Sequence, residues 1–233
     1  MTNEEFILEL QKLNINLTEI QQKQLEMYYD LLIEWNNKIN LTRITNKEEV
    51  YLKHYYDSLS LIKAIDLNND MNICDVGTGA GFPGIVLKIV FPNLKITLLD
   101  ALQKRTIFLN EVIQKLNLSN IAVIHTRGEE YFKIHKEEYD LITCRAVAKL
   151  NVISEICIPG VKISGYFIPM KANIDEEIKN VDFVKKLDCK IEDIIKFTLP
   201  KENSIRNLVK IKKISKTNII YPRKYEKIVK NPL

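Results

Sequence analysis

The segment Asp75-Val76-Gly77-Thr78-Gly79-Ala80-Gly81-Phe82-Pro83-Gly84 holds four of the chain's seven glycines, behind one apolar run and ahead of another. Glycine is costly in regular structure and is used where the backbone turns tightly or a ligand approaches it closely. Between a strand and a helix, such a loop holds a nucleotide-like cofactor. From Gly79 it reads G-x-G-x-x-G, with Asp100 21 residues further on, the spacing of a ribose-binding acid in dinucleotide enzymes. From Asp75 it reads D-x-G-x-G-x-G, the form used with S-adenosylmethionine (SAM).

Three features favour SAM over a nicotinamide cofactor. Asp75 puts a negative group beside the loop, which suits an ammonium and a sulfonium and would repel a pyrophosphate. Little chain follows the last parallel strand, so a dehydrogenase's substrate domain has no room. The strand pattern also closes on an antiparallel pair, as SAM-dependent methyltransferase sheets do.

The elements that must position these residues fall into two stretches. Residues 1–65 read as helices: Thr18-Glu19-Ile20-Gln21 is a capping box, followed by apolar residues at Leu25, Tyr28, Leu32, Trp35 and Ile39. Asn46 with Glu49 starts a further helix through Val50, Tyr51, His54, Leu61 and Ile62, after the connector Asn40-Leu41-Thr42-Arg43. From Asn72 the rhythm changes. Strands are expected at 73–76, 94–99, 121–125, 140–144 and 165–170, with helices at 84–90, 103–117 and 150–158, and Pro83 suits the first turn of its helix. Alternation at this spacing means an open parallel sheet covered on both faces. Runs 191–199 and 208–214 leave no space for a crossover helix, which requires an antiparallel pair at the edge. The expected organisation is an N-terminal helical segment (1–66), a SAM-binding domain (67–216) and a basic, irregular tail (217–233).

Composition narrows the class. With 46% apolar and 27% charged residues the chain is of ordinary globular type. No apolar run approaches the roughly 20 residues of a membrane span, and the acidic start Met1-Thr2-Asn3-Glu4-Glu5 lacks a signal-peptide pattern. A cytoplasmic protein with no membrane partner is expected. Cys74, Cys144, Cys157 and Cys189 show no C-x-x-C spacing, so neither a zinc site nor a disulfide framework is expected. Residues 201–233 carry ten basic and two acidic side chains, a net +8 in a chain of +4, leaving 1–200 at −4. That asymmetry points to a polyanionic partner or to a solvated charged end.

Several of these segments together resemble one family. Asp75 to Gly84, Leu98-Leu99-Asp100-Ala101-Leu102-Gln103-Lys104-Arg105, Arg127-Gly128-Glu129-Glu130, Tyr139-Asp140 and Arg145-Ala146-Val147-Ala148 look like the small-subunit ribosomal RNA methyltransferase G family, also called glucose-inhibited division protein B. Asn40-Leu41-Thr42, His54-Tyr55-Tyr56-Asp57-Ser58 and Tyr221-Pro222-Arg223-Lys224 resemble it as well, so the likeness covers nearly the whole chain. It implies a Rossmann-like α/β fold and SAM-dependent methylation of N7 of one guanine in the 530 loop of 16S ribosomal RNA, free or in a small-subunit precursor. By position it implies cofactor contacts at Gly77, Gly79, Phe82, Asp100, Ala101, Leu102, Gly128, Glu129 and Arg145. The family's small apolar residue at 128 is glycine here.

The residues themselves allow more than one role. Asp100 at a strand end can accept both ribose hydroxyls. Gly128 and Glu129 sit where an adenine edge would lie, and Glu129-Glu130 equally reads as an exposed acidic turn. Phe82 packs on the cofactor or in the core. Arg145 at the carboxyl edge takes the SAM carboxylate, a nearby acid or an RNA phosphate. His54 and Asp57, a helical turn apart, read as helix surface or capping rather than a catalytic pair. Guanine N7 has a free lone pair, so no general acid or base is assigned. Arg43, Arg105, Lys149, Lys171, Arg206, Arg223 and Lys224 are phosphate candidates, and Tyr221 and Tyr225 could stack on bases or pack on the domain. Nothing requires more than a monomer. The competing readings are a nicotinamide-dependent oxidoreductase and a non-catalytic RNA-binding assembly factor.

Overall fold

The computed structural model describes residues 1–179 and 181–233. At the N-terminus α1 (Asn3–Gln11) and α2 (Glu19–Ile39) each start with a capping box. In α2 the Thr18 hydroxyl accepts from the Gln21 N–H at 3.2 Å, and the Gln21 side chain accepts from the Thr18 N–H at 2.9 Å. One face of the helix then buries Leu25, Tyr28, Leu31 and Leu32.

The helix expected from Asn46 changes pitch three times. It runs as α3 (Lys47–Val50), a π-helical stretch at Tyr51–Tyr56, α4 (Asp57–Leu59) and a 3-10 turn at Ser60–Lys63. The wider π winding falls on the segment that carries His54, a placement frequent at functional sites.

The sheet has seven strands: β1 (Asn72–Val76), β2 (Lys95–Asp100), β3 (Ile121–His125), β4 (Tyr139–Arg145), β5 (Val161–Lys171), β6 (Cys189–Thr198) and β7 (Ile205–Lys213). Their order is β3-β2-β1-β4-β5-β7-β6. The first five are parallel, and β7 enters antiparallel between β5 and β6. Between β1 and β4 the direction of winding reverses, so a crevice opens there at the carboxyl ends of the strands. Crossover helices are α5 (Gly84–Val90), α6 (Gln103–Lys115), α7 (Gly128–Ile134) and α8 (Leu150–Cys157), with α9 (Phe183–Lys186) preceding the antiparallel pair. Pro83 stands immediately before α5 rather than inside its first turn.

One core lies under the N-terminal helices, α5 and α6, and contains Phe6, Tyr28, Tyr55 and Phe108. A second, on the opposite face, contains Phe132, Ile153, Phe183 and Ile228. Ile228 belongs to a short helix, α10 (Tyr225–Lys230), where the sequence suggested an irregular tail. The tail is anchored because Arg223 reaches the fully buried Glu155 of α8 with Nε at 2.7 Å and Nη2 at 2.6 Å. All four cysteines are free and buried, and burial pushes their thiols up.

Candidate functional site

The glycine loop folds back on β2: Gly77 N–H and Thr78 N–H both donate to Leu99 O, at 2.8 and 3.1 Å. Gly77 and Gly79 have φ of 66° and 62°, the left-handed region where a side chain is strained. Asp75 shapes the loop from below. Its Oδ2 accepts from Thr78 Oγ1 at 2.6 Å and from Gly84 N–H at 2.9 Å, and its side chain is fully buried. The expected role of facing a cationic ligand is therefore corrected: Asp75 points inward and binds the start of α5. That carboxylate occupies the donor a pyrophosphate would use at a helix start, which disfavours the dinucleotide register.

Asp100 is also more constrained than a ribose acceptor alone. Its Oδ2 accepts from Gly79 N–H and its Oδ1 from Leu102 N–H, both at 2.9 Å, with Arg105 Nη1 at 3.4 Å. Tyr28 Oη donates to Ala80 O, so α2 pins the other side of the loop. Sequence reasoning placed Tyr28 only in the apolar stripe; nothing in its spacing marks the hydroxyl's partner.

A cleft opens beside this loop. Val76, Leu99, Val147, Ile153 and Ile156 supply apolar walls, while Asp100 and Glu129 supply carboxylates. Gly77, Ala101 and Gly128 line it too. Glu129 is 5% exposed, so the acidic-turn reading fails for it, while Glu130 is exposed. A Cβ at Gly79 would meet nothing within 4 Å, whereas one at Gly128 would stand 2.8 Å from Ile156 Cγ2. Open space over Gly79, an apolar slot and two carboxylate acceptors fit a ribosylated purine such as the nucleoside half of SAM.

Three expected cofactor residues, Phe82, Leu102 and Arg145, do not line this cleft. The Phe82 ring is buried against His54 (centroids 4.4 Å apart), Tyr28 and Tyr55, away from the cleft walls. Leu102 is exposed beyond the cleft, with its N–H bound to Asp100.

Arg145 faces a second cavity of about 480 Å³, lined also by Ile44, Lys53, Asp57, Met170 and Arg206. Arg145 Nη1 donates to Asp57 Oδ2 and to Lys53 O, each at 3.0 Å, and its guanidinium lies over Phe82. Asp57 Oδ1 accepts from Arg206 Nε at 3.1 Å. His54 Nδ1 lies 3.2 Å from Arg145 Nη2 and Nε2 lies 3.1 Å from Thr42 Oγ1. Burial, and then the charge of Arg145, lower the His54 pKa to about 3, so the ring is neutral at physiological pH. His54 and Asp57 are therefore neither helix surface nor caps: both are buried parts of this cluster.

The two cavities meet at one loop. Ala146 has φ 55° and faces the Arg145 cavity, while Val147 faces the cleft over Gly77. The left-handed turn sends successive side chains to opposite sides.

Of the other phosphate candidates, Arg43, Lys149 and Lys224 are exposed. Lys171 is instead engaged with Ala148 O and Glu177, Arg206 with Asp57, Arg105 with Asp100, and Arg223 with Glu155. Tyr221 packs on the second core, and Tyr225 reaches the cleft.

Comparison with known proteins agrees with this geometry. The family model for rRNA small subunit methyltransferase G matches residues 21–209. The ribosomal RNA small subunit methyltransferase G of Bacillus cytotoxicus is 50% identical over 228 residues, 96% of this chain and 95% of that one. The protein of the same name from Staphylococcus carnosus is 46% identical over 229 residues, 96% and 95% of the two chains. Among solved structures, a SAM-dependent methyltransferase from Aquifex aeolicus shares the fold, with TM-score 0.54, 19% identity and coverage of 71% of this chain and 93% of that one. The TYW2 protein of M. jannaschii, solved with AdoMet, superposes with TM-score 0.55 at 16% identity, over 74% and 80% of the chains. The chain belongs to the rRNA small subunit methyltransferase G family.

Proposed function

We propose that this SAM-dependent rRNA methyltransferase acts on N7 of a guanine in the 530 loop of 16S ribosomal RNA, with SAM in the Asp100 cleft and the guanine in the Arg145 cavity. The observation that carries the assignment of the two cavities is the Ala146–Val147 turn, a shared wall with one residue facing each side. Bound in the cleft, SAM supplies an electrophilic methyl group. Asp100 and Glu129 are the acceptors for its hydroxyl and amine hydrogens, and the open space over Gly79 leaves room for its tail.

A lone pair at N7 needs no proton removed, so the chain's task is alignment of donor and acceptor. The neutral His54, engaged by Thr42 and Arg145, suits a wall rather than a base. Arg145 and Arg206 share one carboxylate, which leaves net positive charge to meet the phosphates of an unstacked nucleotide. The nicotinamide reading falls with the family.

The test uses purified protein, radiolabelled SAM and small subunits from a strain lacking the gene. Label is expected at one N7-methylguanosine, mapped by cleavage at that base, and lost with Arg206→Ala. Label at another atom or another RNA, or none on either naked RNA or subunits, overturns the assignment.

A further inference from the structure

The last dozen residues form a strap against α8, and Tyr225 near its start lines the cofactor cleft. Arg223 fixes it: backbone N–H and Nε donate to Glu155 Oε1 at 3.1 and 2.7 Å, and Nη2 donates to Oε2 at 2.6 Å and to Asn231 O at 2.9 Å. Ile228 is fully buried in the second core, and Asn151 Nδ2 donates to Leu233 O at 3.3 Å. A buried, multiply bonded ion pair of this kind fixes register more than it adds stability.

The register decides where Tyr225 goes. Two residues after the clamp, its ring lines the cleft at the end formed by Arg127, Gly128 and Glu129. The Arg127 guanidinium lies 5.5 Å from the ring centroid, and the ring remains 42% exposed. A large aromatic held half-exposed at the end of a slot with aliphatic walls is a stacking platform waiting for a second flat partner.

We propose that Tyr225 is a cofactor-positioning residue: its ring stacks on the adenine of SAM, and the Glu155–Arg223 clamp sets it there. The basic tail thereby serves the methyl donor rather than only the RNA. This rests on the reading of the Asp100 cleft as the SAM site.

Calorimetry of the full-length protein with SAM, S-adenosylhomocysteine and adenosine tests it, alongside the melting temperature without ligand. Tyr225→Ala is expected to weaken all three by about tenfold, within the range of one base–aromatic stack, with melting unchanged. Tyr225→Phe is expected to restore affinity and Tyr225→Leu to restore little, which a merely space-filling role would not give. Tyr225→Trp is expected to show fluorescence quenching that saturates with S-adenosylhomocysteine. Asp100→Ala is the control for the cleft. If Asp100→Ala abolishes SAM binding while Tyr225→Ala stays within twofold of the parent, the stacking role is overturned and the cleft stands. If neither change affects binding, the cleft assignment itself falls. Loss of RNA affinity alone in Tyr225→Ala would make the ring an RNA contact and overturn the proposal.

Discussion

Arg145 Nη1 donates to Asp57 Oδ2 across 3.0 Å and joins the end of β4 to the helical front 88 residues earlier. The other Asp57 oxygen holds Arg206 from β7, so one buried carboxylate orders two guanidinium groups drawn from distant parts of the chain. The helical front is thus a wall of the site, beyond its share of the core.

Asp57→Ala leaves Arg145 without its charged partner in a largely buried place. Breaking such a pair typically costs about 3–5 kcal/mol. Urea unfolding is expected to show a loss of that order, and transfer to RNA to fail. SAM affinity is expected to hold, because the cleft lies across the Ala146–Val147 turn. A loss below about 1 kcal/mol would mean that the pair does not order the wall.

Two buried groups set opposite acid responses. Burial raises the Asp75 pKa from 3.8 to about 6, with bonds from Thr78 and Gly84 opposing. The folded state then holds this proton more tightly than the unfolded state. Its contribution to stability falls as pH rises from about 4 to 6 and levels above, by up to roughly 3 kcal/mol at about 1.4 kcal/mol per unit. Asp75→Asn removes that slope, so its stability relative to the parent should climb across the same window. His54 is depressed from 6.5 to about 3, so its contribution is full above about pH 6.5 and is lost as pH falls toward 3. His54→Gln should flatten that acid loss. Denaturant midpoints at several pH values check both signs; parallel curves for parent and variants would refute them.

Gly77 and Gly79 separate strain from contact. Both have positive φ, so alanine at either costs about 1–2 kcal/mol of backbone strain. At 77 the new Cβ would also stand 2.8 Å from Val147 Cγ2, while at 79 it meets nothing. Gly77→Ala is therefore expected to be the more destabilising, and Val147→Ala to recover the excess in a double-mutant cycle. Gly79→Ala is expected to show its extra loss in SAM affinity, since its Cβ projects into the open space. Calorimetry and unfolding on the four variants decide; additive effects at 77 and 147 would remove the contact.

The parallel sheet was legible in the chain because strand, glycine loop and helix each carry local signals, and Asp75, Thr78 and Gly84 lie within ten residues. Arg145 and Glu129 stood out as charged groups beside apolar strands. What escaped the sequence is set by packing between distant segments. The Tyr28 hydroxyl meets Ala80, and His54 and Asp57 meet Arg145, through contacts that no periodicity encodes. Phe82 sits in a glycine-rich loop, yet Tyr28, His54 and Tyr55 draw its ring into the core. The tail's charges suggested a polyanionic partner or a solvated end, because the acid that captures Arg223, Glu155, is 68 residues earlier.

The tail's excess charge is smaller in the fold than in the sequence, and that changes how RNA binding should respond to salt. Lys201, Arg206, Lys213 and Arg223 pair with Glu5, Asp57, Glu137 and Glu155, while Lys210 and Lys212 lie near Glu192. Lys224, Lys227 and Lys230 remain exposed on α10 and its cap, with no acidic partner among the described residues. Each phosphate contact to single-stranded RNA contributes a slope of about 0.7 in log affinity against log salt. Replacing these three lysines by glutamine is therefore expected to lower the slope by about 2 if all three touch phosphate, with SAM affinity and melting unchanged. Arg223→Gln should behave differently, freeing the strap and lowering stability because Glu155 is left buried and unpaired. Titrations of RNA affinity between low and moderate potassium chloride distinguish them, and an unaltered slope in the triple variant would restrict the RNA surface to Arg43, Lys149 and the arginine pair around Asp57.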